Sequence, residues 1–211
     1  MGTRGVFGFH KNGVDKIAYN HYDSYPTGLG DLVKEFVTKH SDDMNKIFNR
    51  IEMVDENSKP TPEQIEECRE FSDIGVGEQS MTDWYCLLHK AQGNLEAYAD
   101  GLKYMVDYAG FLKDSLFCEW GYVINLTTKR LEIYRGFQHK SQENRYKVTT
   151  RQDNLEKHGE KNGYFNCALI REIPLSQVRN FDMNAFEKGL RNRRMKNDDQ
   201  AYVCRWINRS F

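Results

Sequence analysis

The sequence lacks most of the features that announce a compartment, a metal or a common cofactor. No apolar run approaches the roughly 18 residues of a membrane span, and the first residues carry no signal-peptide stretch. Gly2 invites N-myristoylation, but Val6 stands where that motif wants Ser or Thr. Cysteine is scarce and odd in number: Cys68, Cys86, Cys118, Cys167 and Cys204 make no C-x-x-C pair, which argues against a zinc ribbon and for free thiols in a reducing cytosol. No Walker A loop, Rossmann fingerprint, H-E-x-x-H or G-x-S-x-G occurs, so the expectation is no cofactor and no metal. A net charge of −1 gives no electrostatic reason to expect nucleic acid. There are no internal repeats and no low-complexity tract.

What is present is an aromatic-rich chain of 211 residues, with 12 Tyr and 12 Phe, long enough for one core and one domain spanning 1–211. Charge is uneven: the first 128 residues are −9 and the remainder +8. The two parts either interleave or leave a basic half that would line an anion site.

Periodicity orders the elements. Residues 4–9 alternate, Asn12-Gly13 is a hairpin turn, and a return strand runs from about Asp15 to Tyr22. A helical stripe runs over 29–51, as one helix or as two with a cap at Ser41–Asp43, and further helices are expected over a capping box at Thr61–Gln64, after Thr82, and from Leu95 to about Tyr108. The period then changes. Residues 117–137 read as a second strand pair, 138–162 as a long polar loop and candidate lid, and 164–173 as a strand ended by Pro174. A helix near 180–196 and a short strand at 201–207 complete the order, which indicates α+β with an antiparallel sheet.

Counting outward from the Asn12-Gly13 turn sets Thr3 and Arg4 beside His21–Asp23. An Asp two residues from a His on one strand face would raise the imidazole pKa and fix its tautomer. The alternative is a locally bonded His21 and an Asp23 that starts the Tyr-Pro turn. Arg4 would clamp a phosphate or carboxylate, or be a solvated strand end. Glu119 is a second acid/base candidate. Arg135, on the partner strand, would either help hold an anion or pair with Glu119. Cys118 is a nucleophile candidate or an inert buried thiol.

The stretches "MGTRGVFGF…KIAYNHYDSYPTGLG", "DWYCLL" and "SLFCEWGYVINL…LEIYRGF" resemble a family of uncharacterised bacteriophage and actinobacterial proteins. More loosely, the order of elements is similar to the N-terminal nucleophile (Ntn) hydrolase fold. That resemblance implies a four-layer αββα sandwich and adds Asn20 to Asp23 on the second strand. An Ntn hydrolase exposes Cys, Ser or Thr as its first residue; here Thr3 would need trimming. Members of the fold without that nucleophile include archaeal IMP cyclohydrolase, which acts on a nucleotide. The expectation is therefore a cytoplasmic protein, in the host cytoplasm if phage-encoded. It would bind, and as an enzyme hydrolyse, a small anionic metabolite such as a nucleotide or a host immune nucleotide signal. Arg4 and Arg135 would hold the ligand, with Thr3 and Asn20 beside them, and His21, Asp23 and Glu119 would do the acid–base work. An Ntn-type amidohydrolase and a protein-binding inhibitor or structural protein are the alternatives. Membrane partners are not expected, and a homo-oligomer is left open.

Overall fold

A computed structural model describes residues 2–73, 80–149 and 163–192. β1 (Gly5–Lys11) and β2 (Val14–Asn20) form the expected hairpin, with Asn12 at φ 50° and Gly13 at φ 83° in the turn. Those angles are the ones that Asn-Gly tolerates and most residues resist. The second pair is β5 (Trp120–Asn125) and β6 (Arg130–Arg135), and β7 (Ala168–Pro174) follows. Asn125 Oδ1 closes the β5–β6 turn by accepting from the amides of Thr127 and Thr128 at 3.0 Å each.

The five strands lie in the order β2-β1-β5-β6-β7. The architecture is α+β as expected, but the sheet is mixed, because β1 and β5 run parallel. The physical reason is the helical segment between the two hairpins: it returns the chain to the starting end of the sheet, as a parallel pairing requires. Among the described residues the remaining strands are β3 (Glu52–Val54) and β4 (Tyr104–Val106), a two-stranded parallel pair. The described residues thus contain one large sheet, not the two stacked sheets of an αββα sandwich.

β1 and β5 occupy the interior of the sheet and are almost wholly buried, so each carries apolar groups on both faces. On one face Phe7, Phe9, Tyr122 and Ile133 meet α1 (Asp31–Lys39) and α2 (Met44–Arg50). Phe9 packs edge-on against Phe36 and Phe48, with ring centroids 6.0 and 6.3 Å away. On the other face Val6, Ile17, Val123 and Tyr134 bury Leu112, Cys118, Tyr146 and Cys167.

α3 (Pro62–Cys68) starts at the expected capping box, with Thr61 and Gln64 bonding reciprocally. α4 (Trp84–Leu87) is capped by Asp83 rather than Thr82: Asp83 Oδ1 accepts from the Tyr85 amide at 2.9 Å. The helix expected to reach Tyr108 is only α5 (Leu95–Asp100); Gly101, at φ 136°, ends it and frees Tyr104–Val106 to pair as β4. Helix α6 spans 183–192, inside the expected range. The short strand expected at 201–207 lies outside the described residues. The described part of the candidate lid, 138–149, is tied down. Asn166 Oδ1 accepts from the amides of Gln142 and Val148, and the Asn144 side-chain amide donates to the Cys167 carbonyl at 2.9 Å. Among the described residues, no helix is long and apolar enough to cross a membrane.

Candidate functional site

The hairpin register is the one counted from its turn: Gly5 opposes Asn20, and the Ser24 amide donates to the Thr3 carbonyl at 3.1 Å. Thr3 and Arg4 therefore do lie beside residues 21–24. The imidazole–carboxylate pair does not form there, however. β2 stops at Asn20, and Asp23 turns the chain at φ 50°. It faces Tyr25, whose phenol pKa rises because of the Asp23 charge, burial and a hydrogen bond to that carboxylate. His21 Nδ1 instead meets the Tyr19 hydroxyl at 2.8 Å. Its pKa is lowered, not raised: burial comes first, then the positive charges of Arg4 and His89. Burial likewise drives the Tyr19 phenol up to about 12. Both shifts favour Tyr19 donating to a neutral His21.

The expected arginine clamp also comes apart. The Arg4 guanidinium lies 4.9 Å from the centroid of Phe117 and acts electrostatically on His21 and Tyr19. Tyr19 opposes Val6, so this is the face of Val6 and Ile17. Arg135 lies 5.3 Å from the ring centroid of Trp120, which belongs to the opposite face. Strand alternation thus separates the two cations by the thickness of the sheet. Glu119 Oε1 accepts from the Arg4 amide at 3.3 Å, so it secures the start of the strand. Cys118 is fully buried, and burial foremost pushes its thiol well above the ordinary value, the opposite of what a nucleophile needs.

Two of the expected residues, Asn20 and Asp23, do share a cleft. It has a volume of about 700 Å³ and opens between the end of the hairpin, the irregular turn at Pro26–Gly30 and the segment His89–Asn94. Tyr22 and Leu32 form its rim, 59% and 52% exposed. Asp31, at the start of α1, contributes a second carboxylate, and His89 an imidazole. Among the described residues, no Lys or Arg lines it. Thr3, Arg4, His21, Glu119 and Arg135 are not lining residues either. The floor is held from behind: Glu187 on α6 accepts from the Thr27 hydroxyl at 2.8 Å and its amide at 3.1 Å. Burial pushes the Glu187 pKa up, but these bonds and Arg191 outweigh it and the net shift is downward.

Asp31 differs. Burial raises its pKa, and Glu35, Asp182 and Glu187 add to the rise against the opposing pull of Lys34. Sequence reading missed Asp31, His89 and Asn94 because each sits in or beside a helix whose pattern already explained it. Gly93 was legible as a helix terminator, but its other role was not: at φ 71° it faces the Asn20 side chain, where a Cβ would lie 2.7 Å from Oδ1.

The pairing that the sequence placed at His21–Asp23 exists at the opposite end of the hairpin. His10 opposes Asp15, and His10 Nδ1 lies 2.7 Å from Asp15 Oδ1. Counting from the same turn would have found it. Asp15 also accepts from the Tyr146 hydroxyl at 3.1 Å. Arg145 stands 3.8 Å from Asp15 and grips the buried Glu132 with two bonds. Every member has a protein partner, and among the described residues no three His, Cys, Asp or Glu groups are placed to hold a metal.

The fold and cleft define an α+β protein with a ligand-sized hollow where the hairpin leaves its sheet. Comparison with family models, curated proteins and solved structures finds no match.

Proposed function

We propose that the protein binds a small metabolite in the cleft at the open end of the β1–β2 hairpin. The observation that carries this reading is the cleft itself. About 700 Å³ is within the range of small-molecule sites. Its wall combines tyrosine rings with the polar groups of Asn20, Asp23, Asp31, His89 and Asn94, the mixture that grips and orients a small ligand. Two carboxylates and an imidazole also supply acid–base groups for hydrolysis, and on this reading they, not His21 and Glu119, are the residues to test for it.

An anionic ligand such as a nucleotide is the weaker form of the proposal, since Arg4 and Arg135 serve opposite faces and the described lining holds two carboxylates but no Lys or Arg. Thermal-shift screening of a metabolite library sorted by charge tests the binding reading. A genuine ligand raises the melting temperature in proportion to the logarithm of its concentration above Kd. Leu32→Trp, which fills the rim from an exposed position, should abolish that shift while Arg4→Ala preserves it. A ligand unaffected by Leu32→Trp but lost in Arg4→Ala would move the site to the other face and overturn the proposal.

The exposed Tyr22 and Leu32 favour a second reading, in which the rim docks a protein. A partner that is lost on Tyr22→Ala, with no small molecule bound, would support it.

A further inference from the structure

Asn20 is 6% exposed and lines the cleft. Its side-chain nitrogen donates to the Tyr22 carbonyl and, at 2.8 Å, to the Ser24 hydroxyl. A carbonyl only accepts, so the atom facing Tyr22 is the nitrogen and the orientation of the amide is determined. Oδ1 therefore points the other way, toward Gly93. Among the described residues no donor meets it, and Gly93 packs so close to it that a Cβ there would come within 2.7 Å. A buried acceptor without a donor is costly and rare. This one belongs to a residue that lines a hollow large enough for a ligand.

Asp31, on the same wall, accepts no hydrogen bond from the described residues. It also sits in a field made negative by Glu35, Asp182 and Glu187, with Lys34 as the opposing charge; His89 in the wall and Arg191, paired with Glu187, are the other basic groups nearby. Asp23 adds a further carboxylate, engaged with Tyr25. The rings of Tyr22 and Tyr25 complete the wall, and aromatic faces attract cations.

Resting on the cleft-binding reading above, the geometry points to an organic cation that donates hydrogen bonds, a protonated amine or a guanidinium, as the ligand class of this site. Its N–H groups meet Asn20 Oδ1 and Asp31, and its charge balances the carboxylates. The specificity follows from the two acceptors. An anion would leave both unsatisfied and meet repulsion, whereas a fully methylated ammonium would satisfy the charge but not the buried amide oxygen.

Isothermal titration of the full chain with 1,4-diaminobutane, agmatine, the bis-quaternary permethylated analogue of the diamine, and AMP tests this. The amine or the guanidinium should bind, the permethylated analogue more weakly, and AMP not at all. Asp31→Asn should weaken binding by at least about tenfold, the effect of losing one charged hydrogen bond. Asp31→Glu should recover part of it, and Glu70→Gln, on an acidic surface elsewhere, should change nothing. Circular dichroism shows whether each variant remains folded. Equal losses in Asp31→Asn and Glu70→Gln would reduce the effect to general surface charge and overturn the inference. AMP binding that Leu32→Trp blocks, with no amine binding, would overturn the charge assignment while leaving the cleft as the site. Silence from every probe would overturn the inference, whatever neutral molecule the cleft then proves to take.

Discussion

His21 shows how far a side chain's chemistry depends on what folding puts around it. Spacing alone offers Asp23 as its partner, but the positive φ at Asp23 carries that carboxylate away to Tyr25. His21 is left between burial, Arg4 and His89, all of which disfavour the imidazolium. A lowered folded-state pKa means that protonating His21 opposes folding, so this contribution to stability is present at neutral pH and is lost as pH falls below the unfolded value near 6.5. In Arg4→Ala one opposing charge is gone, and the His21 pKa should rise toward the ordinary value. Burial, the larger cause, remains. An NMR titration of the imidazole reads this directly; an unchanged or lower pKa would show that Arg4 does not act on His21.

At the scale of elements, regular segments follow their local pattern, and irregular ones depend on distant partners. The strands and the capping box at Thr61 needed no tertiary information, because turn chemistry and apolar alternation agree there. The segment 138–162 carries no period and reads as a long loop and candidate lid; its described part is 138–149. Yet Arg145 anchors it to Glu132 on β6, which is 3% exposed. Burial pushes the Glu132 pKa up, but hydrogen bonds from Arg145, Asn125 and Tyr134 outweigh it, and the carboxyl is held below its ordinary value. Its stabilisation is present above the unfolded pKa and is lost as pH falls through the folded one. Arg145→Met removes the partner and strands a buried charge, which should cost about 3–5 kcal/mol in urea unfolding at pH 7. The deficit should shrink as the solution is acidified toward the pKa of a Glu132 freed of its arginine, because protonation then relieves the orphaned charge. A pH-independent deficit would assign the loss to packing against Tyr134 and Tyr146 instead.

At the scale of the molecule, the five-stranded sheet carries both cores found among the described residues, so neither should be lost alone. Val6 and Phe7, neighbours on β1, belong to opposite clusters. Unfolding followed by far-ultraviolet circular dichroism and by tryptophan fluorescence should give coincident transitions. Of the three tryptophans, Trp84 and Trp120 report on the helical face, so in a Trp206→Phe chain a fluorescence midpoint well separated from the dichroism one would mean that the faces unfold independently.

The hairpin, its register, the strand pair at 117–137 and the α+β class were determined by sequence alone. Each rests on contacts between residues close in the chain, or on a turn that admits few conformations. The parallel junction of β1 with β5, the separation of Arg4 from Arg135 and the assembly of the cleft from residues 20–32 and 89–94 were decided only by tertiary structure. Those relations join segments tens of residues apart, and local propensity carries no term for which face of a shared sheet each side chain will meet.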